Sequence, residues 1–157
     1  MIHQKDFMAL AIQLAAENLN HKRGGPFGAV VVKNGIIIGK GVNTVISDND
    51  PTAHAEVNAI RDACKHLHNF QLHDCEIYSS CEPCPMCLGA IYWARPAKIF
   101  YAAGKQDANH AGFDDESIYQ EFVIPYETRK IPVHQMMREE AIEVFKKWLA
   151  LDLKIEY

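Results

Sequence analysis

The sequence predicts an α/β layered domain, with a mixed central sheet and helices on both of its faces. Three observations point there. Apolar residues at helical spacing alternate along the chain with short β-branched runs. An Asn34-Gly35 pair sits between two such runs and predicts a hairpin. Residues 76–102 then read as strand, helix and strand, the length of a parallel right-handed crossover unit.

The elements follow in order. Phe7, Leu10, Ala11, Leu14, Ala15 and Leu19 recur at helical spacing, so residues 4–20 read as an amphipathic helix that Gly24-Gly25-Pro26 ends. Residues 29–32 and 36–38 are the β-branched arms of the hairpin. Residues 48–52 carry turn chemistry, after which Ala53, Val57, Ile60, Cys64 and Leu67 mark a second helix. Residues 76–79 read as a short strand. Residues 84–94 read as a third helix, with Pro83 at its entrance and Pro96 just beyond its end. Residues 99–102 read as the next strand. The stretch 104–131 is polar and irregular, too long for a plain connector, and is expected to be a lid or binding loop. Ala141, Val144, Phe145, Trp148 and Leu149 mark a last amphipathic helix.

No internal repeat, low-complexity tract or linker interrupts the 157 residues, so one domain is expected. A 48% hydrophobic and 23% charged composition is that of a globular chain. The formal charge of -4 argues against a large nucleic-acid partner, because phosphate-backbone binders carry basic patches. Lys5, Asp6 and Glu17 interrupt the first twenty residues, so no signal peptide and no membrane span is expected, and the cytoplasm is the expected compartment. There the five cysteines should be thiols or metal ligands rather than disulfides.

Chemistry concentrates in two segments, Thr52-Ala53-His54-Ala55-Glu56 and Pro83-Cys84-Pro85-Met86-Cys87. Cysteines at i and i+3 on a helix's first turn share one face, close enough to hold one ion. The positive end of the helix favours their thiolates. A catalytic zinc needs one further protein ligand and an open fourth position, and His54 is the natural candidate. His54 and Glu56 lie two residues apart and point to different sides of a regular helix, so they cooperate only if His54 sits at the helix start. Glu56 then reaches the reacting water rather than the ion. Two thiolates and a neutral imidazole leave Zn²⁺ without net charge, so a nearby carboxylate is needed to carry the proton. The combined H-x-E and P-C-x-x-C pattern is the signature already described for zinc deaminases. Cys81 is the residue that could close the site as a fourth ligand, which would make the zinc structural. His66, His68 and His73 read as solvated, and Cys64 and Cys75 as core residues.

Beyond these motifs the chain carries Gly24-Gly25-Pro26-Phe27-Gly28-Ala29, Asn43, Trp93-Ala94-Arg95, Phe100-Tyr101-Ala102-Ala103, Ala111-Gly112-Phe113-Asp114-Asp115 and a terminal Tyr157. With the zinc motifs, that pattern resembles the guanine deaminases of the cytidine deaminase superfamily, nearly end to end. The resemblance implies a three-layer α/β/α fold, one Zn²⁺ per subunit, and hydrolysis of guanine to xanthine and ammonia. It implies that Glu56 shuttles the proton, aided by Asp114 or Asp115, with Asp115 favoured. It further implies that Asn43 hydrogen-bonds the base, that Phe27 and Trp93 flank its ring, and that Ala55 offers its backbone N–H. In such enzymes the C-terminal segment, here about residues 138–157, crosses to the partner of a homodimer, where Tyr157 would close the neighbouring pocket. Two other readings stay open. One is deamination of another amino-heterocycle, such as cytosine, tRNA adenosine or an aminotriazine; the other is a silent structural-zinc module.

Overall fold

The computed structural model describes residues 4–157. Helix α1 (Gln4–His21) leads into an antiparallel hairpin of β1 (Gly28–Lys33) and β2 (Ile36–Val42). At the turn between them Asn34 and Gly35 adopt φ of 51° and 76°, as a two-residue type I′ turn requires. A single helical turn α2 (Val45–Asp48) precedes α3 (Ala55–Leu67). The crossover follows as β3 (Cys75–Cys81), α4 (Pro85–Ala94) and β4 (Lys98–Ala103). The four strands form one mixed sheet in the order β2-β1-β3-β4, antiparallel except for the parallel pair β3 and β4.

The strand period sorts the core into two layers. Ala29 and Val31 of β1 face a cluster with Ala55, Ala59 and Ala63 of α3 and Ile91 and Ala94 of α4. Val30 and Val32, the alternate residues, face Phe7 and Ala11 of α1 together with Tyr78. β1 is buried on both sides, which is why its sequence reads as an unbroken apolar run. Helices therefore cover both faces of the mixed sheet, as the sequence predicts. No described helix is long and apolar enough to cross a membrane.

Two stretches differ from expectation. β2 continues four residues beyond the β-branched run, through Gly39-Lys40-Gly41-Val42. Glycines there look like punctuation, but they serve close packing. A Cβ at Gly39 would stand 2.6 Å from the Ala59 carbonyl oxygen and 2.7 Å from the Ala63 Cβ. A Cβ at Gly41 would collide with the Ala55 carbonyl oxygen and the Ala59 nitrogen. Strand β2 and helix α3 thus touch backbone to backbone. The second difference lies in 104–131, which is ordered as α5 (Lys105–His110), α6 (Asp115–Val123) and a 3-10 turn at Tyr126–Thr128. α5 escapes periodicity analysis because only Ala108 of it is buried. Its start is fixed instead by Asp107, whose carboxylate accepts the Gly104 N–H at 2.8 Å.

The chain divides into two compact units, one ending at Glu116 and the other spanning Ser117–Tyr157. Within the second unit, Arg129 lies 4.3 Å over the Tyr126 ring and its Nε donates to the Ile124 carbonyl at 3.2 Å. Helix α7 (Arg138–Leu149) of this unit leaves Val144, Phe145 and Leu149 all more than 60% exposed.

The glycine packing sets a test of the fold. Gly41→Val should destabilise the protein by at least about 2 kcal/mol, since over-packing forces the backbone apart. The shift would be read as a lower urea midpoint, and an unchanged midpoint would mean that α3 and β2 separate without cost.

Candidate metal centre and active site

Two helix starts meet beside the sheet. His54 is the residue before α3, in extended backbone with φ -73° and ψ 158°, so the helix begins at Ala55 rather than Ala53. Cys84 holds the same position before α4, with φ -65° and ψ 168°, and its sulfur accepts the Cys87 N–H at 3.5 Å. The extended geometry at His54 removes the difficulty of the two-residue spacing. His54 projects from non-helical backbone while Glu56 occupies the first turn, and the two side chains converge.

His54 Nδ1 lies 3.5 Å from the Cys84 sulfur and 3.4 Å from the Cys87 sulfur. One ligand atom from each of these residues falls within 4.8 Å of the other two, the only such group among the described residues. Their electrostatics fit a divalent cation. The Cys87 S–H and the His54 ring hold Cys84 down to about 4, while the Cys84 sulfur pushes Cys87 strongly upward. One thiolate is thus shared between two sulfurs, and a bound cation supplies the charge that lets both deprotonate. Hydrogen bonding to Cys84 raises His54. A soft two-sulfur, one-imidazole set with this spacing suits zinc.

Cys81 does not join this group. Its sulfur donates to the Gly104 carbonyl at 3.8 Å, and burial pushes its thiol up to about 11, so it is a neutral thiol. Three protein ligands leave the fourth position open, which is the catalytic and not the structural arrangement. Among the cysteines read as core, Cys75 is fully buried and Cys64 half-buried.

Glu56 is 6% exposed. Ser79 Oγ donates to its Oε1 at 3.0 Å, and the Cys87 sulfur donates to its Oε2 at 3.4 Å. Burial nonetheless raises the Glu56 carboxyl above its ordinary range. A buried carboxyl beside the open ligand position can both accept and return a proton.

A cavity of about 250 Å³ opens onto His54, Glu56 and Cys84. Phe27, Asn43, Asp114 and Asp115 also line it. Asn43 is held by its Oδ1, which accepts the Gly25 and Val45 N–H groups at 3.2 Å each. Burial raises Asp115, and the nearby Cys84 sulfur adds to that. Ala55 is fully buried as the first residue of α3, where its N–H has no acceptor within the helix. The structure does not bring Trp93 into this lining: it is 62% exposed on α4. Tyr157, 68% exposed, belongs to the second unit.

Sequence reasoning assigned no role to Glu82, Gly112 or Phe113, which also line the cavity. The Phe113 ring meets Phe27 edge-on at 4.8 Å. A Cβ at Gly25 would crowd both rings, 2.8 Å from Phe27 and 3.1 Å from Phe113. Phe113 sits inside a motif visible in the sequence and Glu82 directly precedes one, but neither has a ligand-type spacing to mark it.

A family model described as the cytidine and deoxycytidylate deaminase zinc-binding region matches residues 1–103. Guanine deaminase of Bacillus subtilis is 54% identical over 99% of this chain and 100% of its own length. The crystal structure of that enzyme superposes with a TM-score of 0.96, covering 99% of both chains. A tRNA-specific adenosine deaminase of Buchnera aphidicola is 44% identical over 105 residues, covering 65% of this chain and 64% of its own.

The donor set leads to three expectations for metal analysis by mass spectrometry. The purified chain should carry one zinc, and Cys81→Ser should keep it. Cys87→Ser should lower zinc affinity by at least about tenfold, and retention of full affinity would remove Cys87 from the ligand set.

Proposed function

The chain belongs to the cytidine and deoxycytidylate deaminase family, and on that premise we propose how it hydrolyses guanine to xanthine and ammonia. The observation that carries the mechanism is the buried Glu56 carboxyl beside a three-ligand site that keeps one position open. His54, Cys84 and Cys87 hold the zinc. When bound there, zinc supplies the Lewis acidity that lowers the pKa of water.

The chain's own groups do the rest. Glu56 takes a proton from the attacking water and passes it to ring N3 as the oxygen bonds to C2. It then carries the new hydroxyl's proton to the amino nitrogen, so that the C2–N bond breaks, ammonia leaves and a carbonyl remains at C2. Ser79 holds one Glu56 oxygen in place for both transfers. Asp115 lines the same cavity and assists the second transfer, with Asp114 next to it. Phe27 supports one face of the flat base, and the Asn43 amide and Ala55 N–H serve its carbonyl edge. The guanine deaminase relative is matched along its whole length, whereas the tRNA-specific relative is matched along 64% of its length, and this chain has a net charge of -4. A small purine base is therefore the substrate, not an anticodon stem-loop.

The assembly is part of the same reading. Residues 1–157 make one deaminase domain, and the C-terminal segment, about residues 138–157, is exchanged with a second copy in a homodimer. Support comes from α7 and the residues after it, where Phe145, Leu149, Leu153, Ile155 and Tyr157 are all more than 60% exposed. Apolar surface of that extent in one short segment supports its being covered by a second copy. Tyr157 of the exchanged segment closes the neighbour's cavity. Five thiols, none in a disulfide, suit the cytoplasm.

Ammonia release from guanine, adenine, cytosine and cytidine tests the substrate, with guanine expected to react and the others to lag far behind. Glu56→Gln should keep zinc and fold while losing at least about a hundredfold in kcat; full activity would overturn the proton-carrier role. Deleting residues 154–157 should raise KM for guanine severalfold, and an unaffected truncated enzyme would remove Tyr157 from the site.

A further inference from the structure

A carboxylate in the cavity wall is already committed elsewhere. Glu82 sits between Cys81 and Cys84, just past the end of β3, and its N–H donates to the Ala103 carbonyl at 2.8 Å. Its Oε2 accepts the backbone N–H of Lys105, the first residue of α5, at 3.0 Å. The Cys81 thiol meets the Gly104 carbonyl in the same place. Three successive contacts thus fasten the start of α5 to the segment that leads into the zinc ligands of α4.

The far end of α5 reaches the cavity. Ala108 N–H bonds back to the Gly104 carbonyl at 3.2 Å, and Phe113 N–H bonds to the Ala108 carbonyl at 3.0 Å. Gly112 N–H closes onto Asn109 at 2.9 Å. The chain then supplies Gly112, Phe113, Asp114 and Asp115 to the cavity wall. α5 is therefore a strut of 6 residues, clamped by Glu82 at one end and carrying the cavity's aromatic and acidic wall at the other.

We infer that Glu82 is a positioning residue for deamination: through α5 it sets where Phe113 and Asp115 stand relative to His54, Glu56 and Cys84. The inference rests on the reading of this cavity as the guanine site. It assigns no proton transfer to Glu82, whose Oε2 is occupied by the Lys105 amide. Its effect is geometric, and small misplacements of a positioned group are costly in rate.

The test compares Glu82→Ala and Glu82→Gln with the parent enzyme, all loaded with zinc. Glu82→Ala should keep one zinc per chain and lose about ten- to a hundredfold in kcat. Amide exchange followed by mass spectrometry should quicken across residues 105–115 and stay unchanged in α3 and α4. Glu82→Gln retains a side-chain carbonyl to accept the Lys105 N–H and should restore most of the rate and the protection. Unchanged exchange across 105–115, an unchanged kcat or loss of zinc in Glu82→Ala would each overturn the inference, as would a Gln variant no better than Ala. An inactive parent enzyme would instead sink the guanine reading, while the exchange pattern would still report whether Glu82 clamps α5.

Discussion

The active site depends on one close approach, the backbone contact between β2 and α3 at Gly41 and Ala55. That contact fixes the depth and axial position of the helix start, and so the place where His54 leaves extended backbone and Glu56 enters the first turn. A side chain at position 41 would lift this end of the helix away from the sheet. The cysteines arrive independently, on the helix that crosses between β3 and β4. The ligand geometry is thus the product of two separate docking events on one sheet, one through the small residues Ala55, Ala59 and Ala63 of α3 and the other through Ile91 and Ala94 of α4.

Burial and hydrogen bonding then give three acids in the site different characters. Glu56 is raised because water is excluded from it, and two hydrogen bonds keep it oriented without cancelling that effect. Cys84 is lowered because a thiol and an imidazole point at its sulfur. Cys81, only three residues earlier, has neither partner and remains a neutral thiol. Identical side chains therefore divide into ligand and bystander according to which hydrogen bonds reach them.

Much of this was legible in the residues. The hairpin, the two-sided sheet, the crossover and the metal ligands follow from Asn34-Gly35, from apolar period, and from paired Cys84 and Cys87. The requirement that His54 precede its helix follows from a spacing that a regular helix could not satisfy. What stayed hidden has a common physical cause. Gly39 and Gly41 resemble turn residues until the partner helix is in place, because their role is to leave room and room has no local signature. α5 buries almost nothing, so periodicity is silent and only its cap marks it. Glu82 works through a single backbone N–H 23 residues away in sequence. Trp93 lay in a readable motif, but the motif could not say which side of α4 it would take.

The Asn43 amide has a consequence for which bases the pocket tolerates. With its oxygen shared between the Gly25 and Val45 N–H groups, the carboxamide cannot rotate, since rotation would set an NH₂ against two backbone donors. What remains to the cavity is a group of fixed polarity. An NH₂ left facing the cavity would pair with a ring edge bearing a carbonyl or bare nitrogen, whereas an amino group there would set donor against donor. Sites that discriminate by polarity in this way separate close analogues far more sharply than sites that discriminate by a methyl group's worth of space. A rigid amide would make the pocket a reader of the substituent at one ring carbon, telling an oxo purine from an amino purine of nearly the same shape.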